Sequence, residues 1–209
     1  MSNWSVQAVG RIKPLLFLLG LAPAGRWVWL GMHDGLSANP VEFLTRSSGT
    51  WTLVCLLVTL AITPLRRLLG QPALVRLRRM CGLFAFFYGL LHFTTWIWWD
   101  RGLDLLSMLQ DLGQRPFILV GFAAFVLMLA LALTSTQWSM RRLGRRWQTL
   151  HRAIYAIGLL AILHFWWIKM GKNDLREPII YGAVLLLLLG WRVAAAVRRR
   201  MLTEPASRA

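Results

Sequence analysis

The stretch Met80-Cys81-Gly82-Leu83-Phe84-Ala85-Phe86-Phe87-Tyr88-Gly89-Leu90-Leu91-His92-Phe93-Thr94-Thr95-Trp96-Ile97-Trp98-Trp99 carries no Asp, Glu, Lys or Arg. A bilayer core takes roughly 20 helical residues to cross, so this run predicts one membrane span. Uncharged runs of the same kind lie at 47–65 and 116–140. Residues 153–168 form a shorter one, long enough once His151 and Lys169 sit at the two interfaces. Residues 179–197 are interrupted only by Arg192, whose side chain can snorkel toward the nearer surface. The stretch 13–32 is the weakest, kinked by Pro23 and charged at Arg26. It has a second reading, because Arg11, Lys13, an apolar run and Ala22-Pro23-Ala24 mimic a secretory signal with its cleavage site. The spans expected are about 13–32, 47–65, 80–99, 116–138, 151–169 and 178–197, an all-α six-helix membrane bundle forming a single domain over 1–209.

Composition agrees. Of 209 residues, 57% are hydrophobic and 15% charged, against roughly 25% charged in a soluble domain. Yet 24 bases face 8 acids, a formal charge of +16. Such a surplus can mark nucleic-acid binding. Here the bases separate apolar runs instead of sharing one polar face, so no nucleic acid is expected. Arg66, Arg67, Arg76, Arg78 and Arg79 lie in one connection, Arg141, Arg142, Arg145, Arg146 and Arg152 in another, and Arg198, Arg199, Arg200 and Arg208 in the tail. The intervening connections hold Asp34, Glu42, Asp100, Asp104, Asp111, Asp174 and Glu177. The positive-inside bias then places both termini in the cytoplasm of a bacterial inner membrane, with the acid-bearing loops in the periplasm. The arginines also read as contacts with anionic membrane lipids. A functional reading makes Arg78, Arg79 or Arg152 an anchor for phosphate or propionate. No internal repeat is evident.

Cys55 and Cys81 form no C-x-x-C pair, which removes a disulfide framework or a redox dithiol. Gly-rich nucleotide fingerprints are absent. An ionisable residue inside a span is therefore the place to look for chemistry, since its burial is expensive unless paired. His33 reads as solvated loop. His92 lies about 18 Å along its span and His164 about 19.5 Å along another of the same direction. The two imidazoles thus share a depth. Three readings fit: the two axial positions of a haem, a zinc or copper site, or a plain hydrogen-bonded pair. Tetrahedral zinc wants further ligands that are not at that depth. Gly82, Gly89, Phe93, Trp96, Gly158, Phe165 and Trp166 supply the small and aromatic types a porphyrin needs. Trp96, Trp98, Trp99, Trp166 and Trp167 also read as an interfacial belt. His151, at the arginine-rich end, sits roughly 140° around a straight helix from His164. A separate task suits it: a second haem with one protein ligand or with Met80, a quinone or flavin contact, or a helix cap.

The stretches Thr63-Pro64-Leu65-Arg66-Arg67, Arg78-Arg79-Met80-Cys81-Gly82-Leu83, Tyr88-Gly89-Leu90-Leu91-His92-Phe93, Trp147-Gln148-Thr149-Leu150-His151-Arg152 and Arg176-Glu177-Pro178 resemble the MsrQ family. Its members are haem-binding membrane subunits of the bacterial periplasmic methionine-sulfoxide reductase system. More distantly the chain is similar to ferric-reductase-like transmembrane domains, which carry two histidines on each of two spans. Here one span has His151 and His164, while the other has only His92. The resemblance implies haem b, FMN as a further cofactor, and His92, His164 and His151 as cofactor-binding residues, with the first two as axial ligands to the haem iron. It implies electrons from the quinone pool or a cytoplasmic flavin reductase, passed to the molybdopterin subunit MsrP, which repairs oxidised periplasmic proteins. The chain would then be a non-catalytic electron-transfer subunit. The alternative is a stand-alone transmembrane haem-dependent ferric or quinone reductase.

Overall fold

The computed structural model describes residues 6–203; Arg208 and the rest of 204–209 lie outside them, as do residues 1–5. Every regular element among the described residues is helical. Helices α1 (Val6–Met32), α2 (Pro40–Leu68), α3 (Arg78–Thr94), α4 (Leu105–Gln114), α5 (Pro116–Leu133), α6 (Gln137–Leu143), α7 (Arg145–His151), α8 (Ala153–Met170) and α9 (Arg176–Thr203) follow in order. A 3₁₀ turn (Pro72–Leu77) leads into α3, and a π-helical turn (Thr95–Asp100) leaves it. Among the described residues six stretches are long and apolar enough to cross a membrane: Gln7–Met32, Pro40–Leu68, Pro72–Asp100, Pro116–Leu133, Arg145–Met170 and Arg176–Leu202.

Local chemistry accounts for the ends. Asn39 accepts a bond from the Glu42 N–H at 3.1 Å and Pro40 occupies the first turn, both favoured where a helix begins. Asp104 caps α4 through the Leu106 N–H at 3.0 Å, and the Ser107 hydroxyl beside it holds its carboxyl below the usual carboxylate range. Pro116 opens α5.

Helix α2 lies at the centre. Leu53, Leu56, Leu57 and Leu60 pack with Ala85 of α3, Met128 of α5, Ile154 and Ile157 of α8 and Leu185 of α9. Its most extensive contact is with α3, and the next most extensive pairing in the bundle is α5 with α8. α1 docks on this group: the Tyr88 hydroxyl donates to the Gly20 carbonyl at 2.6 Å, and Trp27 Nε1 donates to the Ser47 hydroxyl at 3.0 Å. The outer faces keep Leu18, Val28, Leu186 and Leu187 exposed. An apolar surface of this extent suits lipid and not water.

Two expectations change. Arg192 does not snorkel outward. Its guanidinium turns into the bundle, donates to the carbonyls of Leu60 on α2 and Leu188 on its own helix, and lies 5.4 Å over the Tyr155 ring. The cause lies in α2: Pro64 has no N–H, so the Leu60 carbonyl one turn earlier loses its helical donor. Pro23, expected to kink the first span, is not alone: Pro14 and Pro64 also lie inside helices.

Candidate functional site

Helices α2, α3, α5 and α8 enclose a cavity of about 1000 Å³ toward the acid-bearing end, lined among others by His92, Phe93, Phe122, Phe125, His164 and Phe165. His92 and His164 face each other across it, with ring centroids 6.1 Å apart and planes at 81°. The equal depth predicted from helix rise therefore holds as geometry.

Each ring is fixed by backbone. His92 Nδ1 lies 2.9 Å from the Thr45 carbonyl, and His164 Nδ1 lies 2.6 Å from the Phe117 carbonyl. A carbonyl only accepts, so in the neutral ring each Nδ1 carries the proton and each Nε2 keeps a free lone pair. One turn beyond each accepting carbonyl stands a glycine. A methyl group on Gly49 would lie 3.1 Å from His92 Cε1, and one on Gly121 would lie 2.7 Å from His164 Nδ1. A side chain at Gly121 would force the ring to shift, and one at Gly49 would press on it. Thr45, Gly49 and His92 thus recur as Phe117, Gly121 and His164 at one constant offset along the chain. The same local arrangement of accepting carbonyl, glycine and histidine occurs twice, once between α2 and α3 and once between α5 and α8.

Sequence reading missed Gly49 and Gly121. Of the small and aromatic residues singled out, Gly89, Phe93, Trp96 and Phe165 line the cavity. Gly158 instead receives Leu185, Gly82 faces Thr59, and Trp166 and Trp167 line a groove facing outward between α8 and α9. Trp98 and Trp99 are exposed, and Trp99 also reaches the cavity lining. The arginines expected as anchors, Arg78, Arg79 and Arg152, are not in the lining; Arg46, Arg115, Lys169 and Lys172 are.

Lys169, expected as an interface marker, is 5% exposed. Its Nζ sits 2.8 Å from both Asp174 and Glu177, which ties the end of α8 to the start of α9. The ammonium beside Asp174 holds that carboxyl below the usual range. Arg46 and Lys172 share Glu42 at 3.6 and 3.3 Å. Buried Asp111 pairs with Arg101 and with Arg115, which locks α4 against the start of α5.

His151 is not brought to the pair. It ends α7 at the arginine-rich end, stacked on Trp147 with centroids 3.9 Å apart, its Nδ1 3.1 Å from the Trp147 carbonyl. Its Nε2 is buried with no hydrogen-bond partner among the described residues. The chain turns out of helix at Arg152, between His151 and α8. Met80 packs in the clusters facing α1.

The residues present suit a planar, apolar group gripped from both sides. Two imidazole–metal bonds span about 4 Å, and the two half-rings account for the rest of the 6.1 Å between centroids. No group of three or more His, Cys, Asp or Glu side chains converges among the described residues.

The bundle opposes two imidazoles across an apolar cavity, and the model of the family described as "Ferric reductase like transmembrane component" matches residues 48–162. That match holds His92 and His151 and stops just short of His164. The heme-binding subunit MsrQ of the protein-methionine-sulfoxide reductase from Bordetella pertussis (strain Tohama I) is 81% identical over 94% of this chain and 95% of its own length. The MsrQ of Ralstonia nicotianae is 59% identical over 87% of the chain and 84% of its own. That of Xanthomonas campestris pv. campestris is 51% identical over 81% and 77%. The chain belongs to the MsrQ family, within the ferric-reductase-like transmembrane components. No solved structure matches it.

Proposed function

We propose that the chain is a haem b electron-transfer subunit of the bacterial inner membrane, with His92 and His164 as the axial ligands. The observation that carries this reading is the pair of opposed rings, 6.1 Å between centroids, each with Nδ1 engaged and Nε2 free. A backbone partner on the second nitrogen fixes the tautomer and orientation of a metal-ligating histidine. When bound, the haem supplies one-electron oxidation and reduction. The chain supplies the rest. Thr45 and Phe117 hold the rings, Gly49 and Gly121 give them room, and Phe93, Phe122, Phe125 and Phe165 exclude water.

The names of the relatives, heme-binding subunits of protein-methionine-sulfoxide reductase, support the same reading. With the arginine-rich end in the cytoplasm, electrons enter from the quinone pool or a flavin reductase. An FMN held by the subunit would serve the same handover. They leave from the paired-histidine end to a periplasmic molybdopterin subunit, MsrP. No side chain acts as nucleophile or general acid.

The visible spectrum of the purified chain, oxidised and dithionite-reduced, tests the proposal. Haem-replete preparations should show b-type bands; their absence would sink it. His92→Ala and His164→Ala should each abolish the main bands, and His151→Ala should leave much of them. Equal and complete loss in all three variants would refute the separation of His151 from the pair. Turnover with ferric iron or quinone but not with MsrP would favour a stand-alone reductase.

A further inference from the structure

Helix α4 (Leu105–Gln114) joins two membrane spans at the acid-bearing end. The stretch Pro72–Asp100 ends shortly before its Asp104 cap, and Pro116–Leu133 begins directly after its Arg115 cap. With 10 residues it rises about 15 Å, too short to cross a bilayer. Both ends of α4 are thus tied to the places where the chain leaves and re-enters the membrane. The helix has to stay at the membrane surface.

At about 100° per residue, α4 has three edges. Met108 and Leu112 are half-buried and Asp111 is buried where the helix meets α5. A second edge carries Leu105, Leu106 and Leu109, exposed at 67%, 65% and 58%. The third carries Gln110 and Gln114, both exposed. Asp111 is the only charged residue between Leu105 and Gln114, and it is engaged inward by Arg101 and Arg115. The outward surface of the helix therefore has no charge, and the two bridges fix which edge turns outward. Apolar exposure continues along the chain on both sides, through Trp98, Trp99 and Leu103 before α4 and Leu119 after it.

A leucine edge left in water gains nothing from its exposure. A helix with an apolar edge, and a polar one beside it, removes the leucines from water by lying in the plane of the membrane interface. Exposed tryptophans at the end of the preceding span mark the same level. Lipid already covers the outer faces of the two adjoining spans, so it reaches the leucine edge without a change of partner. We propose that α4 is an interfacial helix of the outer headgroup layer and that the occupant of its leucine edge is the lipid of the bilayer. Leu105, Leu106 and Leu109 sit among the acyl chains, and Gln110 and Gln114 face water. Because Asp111 occupies both flanking arginines, apolar burial holds the helix down and lipid charge does not.

Single cysteines at positions 105, 106, 109, 110 and 114 test this in the full-length chain with Cys55 and Cys81 replaced. Each is spin-labelled in phosphatidylcholine nanodiscs. Collision with oxygen, which concentrates among acyl chains, is compared with collision with a water-soluble nickel chelate. All five positions are exposed, so the labelled proteins should melt at the temperature of the unlabelled chain. The oxygen-to-nickel ratio should be several-fold higher at 105, 106 and 109 than at 110 and 114, and should not change when phosphatidylglycerol is added. Equal ratios on the two edges, or a difference that needs phosphatidylglycerol, overturns the proposal. So does a leucine edge closed to both reagents, which would give it to a second copy of the chain. Immobilisation of those labels by added MsrP would give it to the reductase and overturn the proposal as well.

Discussion

Gly49 and Gly121 differ in how closely the imidazoles approach them, and the difference is measurable. A methyl at Gly121 would lie 2.7 Å from both Nδ1 and Cε1 of His164, closer than any real contact, so the ring must move. At Gly49 the nearest ring atom is 3.1 Å away, close enough to strain but within reach of small adjustment. Overpacking of this kind costs roughly 1–3 kcal/mol, about 5- to 150-fold in an equilibrium constant. Gly121→Ala should therefore lower the haem-to-protein ratio, read by pyridine haemochrome, more than Gly49→Ala does. The reverse order would show that the ring contact is not what holds the group. The histidines themselves were legible before any coordinates, because helical rise is constant and depth follows from counting. Their glycine partners were not. A glycine's use depends on what the neighbouring helix presses against it, and the chain alone does not say which helices are neighbours.

Between elements, the cross-brace from α9 to α2 makes a double-mutant argument available. Arg192 donates to the Leu60 carbonyl that Pro64 leaves without its helical N–H. Arg192→Leu should destabilise the bundle by roughly 1–3 kcal/mol, the cost of an orphaned buried acceptor. Pro64→Ala restores the helical donor, so adding it to Arg192→Leu should recover part of that loss. Thermal unfolding of all four proteins in detergent measures the coupling. Strict additivity would mean that the two residues act independently. Read along the chain, Arg192 was only a charge in an apolar span, with the nearer surface as its obvious destination. The need it meets arises on a different helix, more than a hundred residues away.

At the level of the whole molecule, two halves share one design. Each sets a histidine of one helix on the backbone of its partner, and the cavity forms where the halves meet. The proposed orientation puts that cavity nearer the periplasm and His151 nearer the cytoplasm. Single cysteines placed at Asp104 and at Arg145, in a background with Cys55 and Cys81 replaced, test it. In intact spheroplasts a membrane-impermeant maleimide should label position 104 and spare 145. The opposite pattern would invert the direction proposed for electron flow.

Spans, their number and the shared depth of His92 and His164 were already decided by the order of residues, because hydrophobic length and helical rise are local quantities. Which face of each helix turns inward is not local. Trp96 facing the cavity, Lys169 buried between two carboxylates, Arg192 bonded across the bundle and His151 set apart from the pair all depend on which helix lies opposite. Only packing supplies that information, since a buried polar group goes wherever a partner for it exists.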